Sequence, residues 1–265
     1  MESENWGAAL IPKVIHYCWF GHNPKPDSFN KYLASWKKYC PDYEIIEWNE
    51  ENFDITINDY VKEAYAAKKW AFVTDYARLW IIYNHGGIYL DTDVEVIKSF
   101  DELLCNDAFL GFEDEYINTG LGFGSVKWNT VVELMMKDYA GEHFLIGDGN
   151  YDTTTCPVRN TNSIKHLFTV NYDRTKPLKI QSAVLFPPEY FCPLNPGTGI
   201  LRKTANTYSI HHYTATWLSE DQQVVHQWRL FKRKCEKIFG KWLGGYIARA
   251  VYLFFPEKRK VLRRM

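Results

Sequence analysis

The chain has 265 residues, and a composition of 46% hydrophobic with 17% aromatic residues is enough to bury a continuous core, which excludes a disordered chain. The net charge of -1 conceals a division. From Arg229 onward twelve Lys and Arg face two Asp and Glu, a charge of +10, so residues 1–228 carry −11, and an acidic main body argues against a nucleic-acid-binding protein.

Val14–Phe20 is β-branched and aromatic and predicts a strand that stops at Gly21 and the Pro24/Pro26 turn region. Asp27–Tyr39 places Phe29, Leu33, Trp36 and Tyr39 at helical spacing, Pro41 ends it, and Tyr43–Trp48 reads as a second strand. Strand, helix, strand favours a parallel α/β unit. Tyr60–Lys69 and Trp70–His85 read as two helices, the second closed by Gly86-Gly87 as a left-handed cap. Ile88–Leu90 follows as a buried strand, and the acidic run Asp91-Thr92-Asp93-Val94-Glu95 emerges from its end. Shorter strands are expected at Ala108–Phe112 and Leu121–Val126, a helix from Trp128 to Tyr139, a long loop from Gly141 to Asn162, and a late strand at Thr207–Tyr213.

Six cysteines without a C-x-x-C pair fit a reduced compartment rather than a disulfide framework. Met1–Leu10 has two Glu and no apolar run, so no secretory signal is expected. Ile238–Phe255, broken by Lys241, Arg249 and glycines, falls short of the roughly 20 apolar residues that cross a bilayer.

If Asp91–Glu95 is extended, Asp91, Asp93 and Glu95 share one face. Carboxylates that close repel unless a cation lies between them, and hard oxygen donors suit Mg²⁺ or Mn²⁺. An isolated D-x-D is ordinarily a solvated turn, but this one falls at the carboxyl end of a strand, where open α/β sheets bind ligands. Asp75 and Arg78, three apart on the preceding helix, share a face, and the short Gly86-Gly87 link brings that helix beside the acidic run.

In order and approximate spacing, Ile11–Gly21, Thr74–Arg78, Gly86–Asp93 and His211–Trp217 resemble glycosyltransferase family 32. That family holds the yeast initiating mannosyltransferases and many bacterial capsule and lipopolysaccharide enzymes, and its core is similar to the glucosylating domain of large clostridial toxins. The resemblance implies an α/β fold of the GT-A type, a Rossmann-like mixed sheet flanked by helices. The implied activity is a retaining, metal-dependent hexosyltransferase using a nucleotide sugar, UDP-linked, with Mn²⁺ or Mg²⁺. Carried over by residue, Asp91 and Asp93 are the D-x-D pair, with Asp93 a direct metal ligand and Asp91 a ligand or a holder of donor hydroxyls. Asp75 and Arg78 grip donor-sugar hydroxyls and the ribose or phosphate. Tyr89 and Trp217 lie near the diphosphate, Trp19 stacks on the base, and His212 supplies a third metal ligand. The family's usual Ser before the final Trp is Thr216 here, which keeps the hydroxyl and adds a methyl. Asn118, Thr119 and the Gly147–Asn162 loop are donor or acceptor candidates by position, and no side chain is required as a covalent nucleophile.

After Trp228, Phe231, Cys235, Ile238, Trp242, Tyr246, Ala250 and Leu253 recur at three- and four-residue steps among Lys and Arg, predicting a basic amphipathic helix kinked near Gly244-Gly245. A basic cluster, Lys258, Arg259, Lys260, Arg263 and Arg264, closes the chain. Such a tail suits an anionic membrane surface or packs on the acidic domain or a second subunit. The domains expected are a catalytic unit over 1–224 and the tail over 225–265. The location expected is cytoplasmic, on the inner face of the cell membrane, with a lipid-linked saccharide as acceptor in surface polysaccharide synthesis. The rival readings are a metal-dependent phosphohydrolase and a non-catalytic saccharide- or membrane-binding protein.

Overall fold

The opening strand β1 (Val14–Cys18) is buried along nearly its whole length, as a strand with neighbours on both edges and cover on both faces must be. The computed structural model describes residues 10–168, 173–196, 198–214 and 220–253. They fall into two compact units, Met1–Pro193 with Lys203–His211, and Leu194–Arg202 with His212–Met265.

The first unit is built on a mixed sheet flanked by helices. β1 pairs in parallel with β2 (Glu44–Trp48) on one side and β3 (Gly87–Tyr89) on the other. Beyond β3 the sheet turns antiparallel through β7 (Phe123–Ser125) to β5 (Ala108–Glu113), then runs through β9 (Ala183–Phe186), parallel to β5, to β8 (Leu178–Ile180). The short β6 (Tyr116–Ile117) folds back on β5. A separate ribbon pairs β4 (Val94–Val96) with β10 (Ser209–His211), antiparallel, with His211 opposite Val94.

Two helices fix the site-bearing strands. α1 (Asp27–Tyr39) has Asp27 in its first turn and Lys37 and Lys38 in its last, as the helix dipole favours. Its fully buried Trp36 donates from the indole to Val94 O at 2.8 Å, and Ser35 Oγ accepts from Val96 N at 3.0 Å, so α1 clamps β4. α2 (Asp59–Ala66) is capped by Asn58, whose side chain accepts from Val61 N. α3 (Trp70–His85) runs through the core with Val73, Ala77, Leu79, Ile81 and Ile82 fully buried. Gly86 and Gly87 end it at φ 67° and 102°, a conformation that only glycine adopts freely. A Cβ on Gly87 would also stand 2.8 Å from Val14 O, so the same residue lets β3 dock against β1 at once. α4 (Thr130–Lys137) is capped by Asn129, and α5 (Cys156–Ile164) occupies the last third of the stretch expected to be loop. The Pro-containing first turn of α5 is the helix-start signal that the surrounding Gly, Asp and Thr obscured. A one-turn helix, α6 (Pro188–Phe191), follows β9.

In the second unit, α7 (Glu220–Phe239) and α8 (Lys241–Leu253) are joined by Gly240 alone, at φ 79°. The expected kink at Gly244-Gly245 is therefore corrected. The chain doubles back at Gly240, and Gly244 serves the packing, since a Cβ there would lie 2.4 Å from the Cys235 backbone. Cys235 is buried while Ile238, Trp242 and Tyr246 are exposed, so the predicted apolar stripe does not pack as one face. Among the described residues no helix is long and apolar enough to cross a membrane. Residues 254–265, with the terminal basic cluster, lie outside the described residues.

Candidate active site

Asp91 follows β3 at its carboxyl end, and Trp19 follows β1, the neighbouring parallel strand, in the same place. The acidic run is not extended as expected. Asp91 through Val94 form a turn closed by Val94 N donating to Asp91 O at 3.1 Å, and β4 begins only at Val94. Folding of the turn, rather than strand alternation, gathers Asp91 and Asp93. Glu95 belongs to β4 and comes within 4.0 Å of Lys31 Nζ, so it leaves the group.

The histidine that joins the two carboxylates is His211. Its Nε2 is 3.1 Å from Asp93 Oδ1 and 3.8 Å from Asp91 Oδ2. The position given to His212 is corrected accordingly: pairing of β10 with β4 sets Ser209 and His211 on one side, Ser209 Oγ bonding Leu121 O, and adjacent residues of a strand face apart. Burial alone would disfavour charge on His211, but Asp93 and Asp91 outweigh it and raise its pKa to about 10. The carboxylates thus draw a positive charge to this spot. Asp91, Asp93 and His211 each offer one ligand atom, all within 4.8 Å of one another. Two carboxylates and one imidazole fit Mn²⁺, or Mg²⁺ with more water in its shell.

Asp75 and Arg78, buried on α3, meet this group. Arg78 Nη2 lies 2.8 Å from Asp75 Oδ1 and 3.5 Å from Asp91 Oδ1. Burial raises the Asp75 carboxyl to about 6, with Arg78 opposing and Asp91 reinforcing, because one guanidinium is shared between two acids. Tyr89 is almost fully buried, with its hydroxyl donating to Asp91 Oδ1 at 3.0 Å and the Arg78 guanidinium 5.2 Å from its ring centre. The structure therefore sets Tyr89 behind Asp91 as its support. Trp19 is half-buried, its indole donating to Asn23 O at 2.6 Å. Trp217 and Thr216 lie outside the described residues.

A further wall of the site comes from the stretch expected to be loop. Cys156, at the start of α5, has its sulfur 3.7 Å from Arg78 Nη1, 3.2 Å from Thr119 Oγ1 and 3.2 Å from Asn160 Nδ2, and its thiol bonds Asp75. Burial pushes that thiol up to about 12, with Asp75 adding to the shift, so it is a neutral donor rather than a nucleophile. Asn118 Oδ1 accepts from Gly120 N at 2.7 Å, and Asn118 Nδ2 donates to Glu113. Gly120 has no left-handed backbone, yet a Cβ there would stand 2.2 Å from Asp91 Oδ2 and 3.0 Å from Arg78 Nη1. No spacing rule in the sequence marks Cys156, Asn160 or Gly120. Their role follows from α5 packing against β6 and α4.

A mixed α/β sheet flanked by helices, with a D-x-D turn at the carboxyl end of β3 and an Asp and an Arg from the preceding helix against it, agrees with the fold class expected from the sequence. Residues 26–110 match the family described as "Glycosyltransferase sugar-binding region containing DXD motif". The chain is 31% identical over 111 residues to "Inositol phosphoceramide mannosyltransferase 3" of Schizosaccharomyces pombe, covering 39% of this chain and 30% of the relative. It is 28% identical over 116 residues to "Mannosyl phosphorylinositol ceramide synthase SUR1" of Saccharomyces cerevisiae, covering 38% of this chain and 27% of the relative. The matched stretch thus spans under a third of either relative. Among solved structures, "PaToxG Glycosyltransferase" is similar at TM-score 0.43 and 18% identity, over 61% of this chain and 70% of that one.

Proposed function

We propose that the protein is a retaining, metal-dependent hexosyltransferase that moves a hexose or N-acetylhexosamine from a nucleotide sugar, UDP-linked, to a lipid-linked saccharide. The observation that carries this reading is the convergence of Asp75, Arg78, Asp91, Asp93 and His211 on one place at the carboxyl end of β3. Asp91, Asp93 and His211 would hold the divalent ion. When bound, it supplies positive charge to the departing diphosphate.

The chain's own residues bind and orient the donor. Asp75 and Arg78 face the donor-sugar and ribose hydroxyls, and Trp19 stacks on the base. Tyr89 and Arg78 hold Asp91 in place from behind. Asp75, buried and paired with Arg78, is not poised as a covalent nucleophile. The incoming hydroxyl then attacks on the face of the leaving group and gives its proton to the diphosphate oxygen.

The relatives' names supply two further supports. They make mannose the first donor sugar to test, and their inositol phosphoceramide acceptor supports a lipid-borne one here. The basic second unit would keep the enzyme at the cytoplasmic face of the membrane where such an acceptor resides, and surface polysaccharide synthesis is the process we assign to it.

The test is nucleotide release from a panel of UDP- and GDP-sugars, with and without Mn²⁺. One donor should turn over only with metal, and Asp93→Asn should lose at least about 100-fold of that rate. Equal turnover by Asp93→Asn would refute the assignment, and NMR of the product's anomeric configuration decides retention.

A further inference from the structure

The α7–α8 hairpin spends its small residues on itself. Gly244 lies against the Cys235 backbone and Ala248 is buried, so the opposite positions of α8 face outward. At the turn, the outward residues are apolar: Ile238 is 71% exposed, Trp242 86%, Phe239 49% and Leu243 45%. Scattered exposed apolar side chains need no explanation, but four within six residues at one helical tip do. Lys237 and Lys241 flank them and are exposed.

We propose that this tip is a membrane anchor: Ile238, Phe239, Trp242 and Leu243 enter the interfacial layer of an anionic bilayer, while Lys237 and Lys241 reach its phosphates. The proposal rests on the reading of the basic unit as membrane-facing and goes beyond it by naming an end-on, hairpin-tip mode in place of a helix lying flat. From the Gly244–Cys235 crossing to the turn at Gly240 is about four residues, roughly 6 Å at a helical rise of about 1.5 Å, comparable to the roughly 5–10 Å depth of interfacial insertion. An indole near the boundary and lysines whose stems snorkel upward suit that depth. Charge selects this occupant over a second copy of the chain. A symmetric seam through the tip would set Lys237 and Lys241 against their own duplicates, whereas anionic lipid complements them.

The full-length protein is tested by co-sedimentation with phosphatidylcholine vesicles, with and without phosphatidylglycerol. Wild type should partition to the anionic vesicles, and lipids brominated on their acyl chains should quench a fluorescence component that Trp242→Phe removes. Trp242→Ser with Leu243→Ser should weaken partitioning at least about tenfold, and Lys237→Gln with Lys241→Gln about 30-fold, on anionic vesicles alone. Nucleotide-sugar turnover in solution should be unchanged in all of them.

If wild type binds but the tip variants bind equally and no quenching is seen, the tip is wrong and the membrane reading stands. If wild type ignores anionic vesicles, both fall. If wild type is a dimer by sedimentation equilibrium without lipid and the tip variants are monomers, the tip is a subunit seam and the proposal is overturned.

Discussion

Gly120 is the residue on which the geometry of Asp91 turns. Its backbone would accept any side chain, so the cost of a substitution is one of space alone, with Asp91 Oδ2 2.2 Å from the position of a Cβ. Gly120→Ala should therefore displace the Asp91 carboxylate rather than unfold the protein. The expected outcome is Mn²⁺ affinity and kcat/KM both reduced by about tenfold or more, with Tm within about 2 °C of wild type. Mn²⁺ titration followed by electron paramagnetic resonance, beside a thermal melt, checks both halves. Tyr89→Phe removes the hydrogen bond to the same carboxylate, a bond to a charged group worth about 1.5–3 kcal/mol, and should lower kcat/KM by about 10- to 100-fold in a donor-hydrolysis assay. At this scale the D-x-D and the Asp75/Arg78 pair were legible, because each pair lies within one local element. His211 could not be told from His212, since the choice depends on which face of β10 meets β4.

At the scale of elements, α5 is held by Arg159, a buried guanidinium beside the paired rings of Tyr60 and Tyr139, at 5.3 and 5.0 Å, and ion-paired to Asp152 and Asp138. The same helix carries Cys156 against Arg78. Arg159→Met removes the ion-pair partner of those carboxylates and should destabilise the fold by about 2–4 kcal/mol, less than a fully buried pair because Asp138 is partly exposed. Urea unfolding measures that loss, and a raised donor KM in the folded fraction would show that α5 supports the site. Most elements around the sheet could be read from periodicity and turn chemistry: β1, α1, β2, α3 and its Gly86-Gly87 stop all fall where expected. α5 and the α7–α8 turn could not. In both, the deciding signal was a single residue, Pro157 or Gly240, in a stretch whose composition pointed elsewhere.

For the whole molecule, His16 sets an acid limit. Trp48 Nε1 donates to its Nδ1 at 3.0 Å and its Nε2 lies 2.9 Å from Gly86 O, which fixes a neutral ring with the proton on Nε2. Burial lowers its pKa to about 4 from 6.5, with His85 adding to the effect and the Gly86 carbonyl opposing it. A depressed folded pKa stabilises above the unfolded value and is lost as pH falls through the folded one. Stability should therefore decline between about pH 6.5 and 4, by about 3 kcal/mol at most from this group. Denaturant melts across that window should show the slope, and His16→Gln should flatten it.

The three residues proposed to hold a cation have unequal histories along the chain. Asp91 and Asp93 sit in one tight turn directly after β3, so they meet as soon as that region folds, whereas His211 arrives only when β10 pairs with β4. The acidic turn is thus a low-contact-order feature completed by a distant one, and loop closure of that length comes late in folding. A nascent or truncated chain would hold the carboxylates without the imidazole. On the proposed reading, tight cation binding would report that β10 has docked, and the chain would stay silent towards a donor until nearly all of its first unit exists.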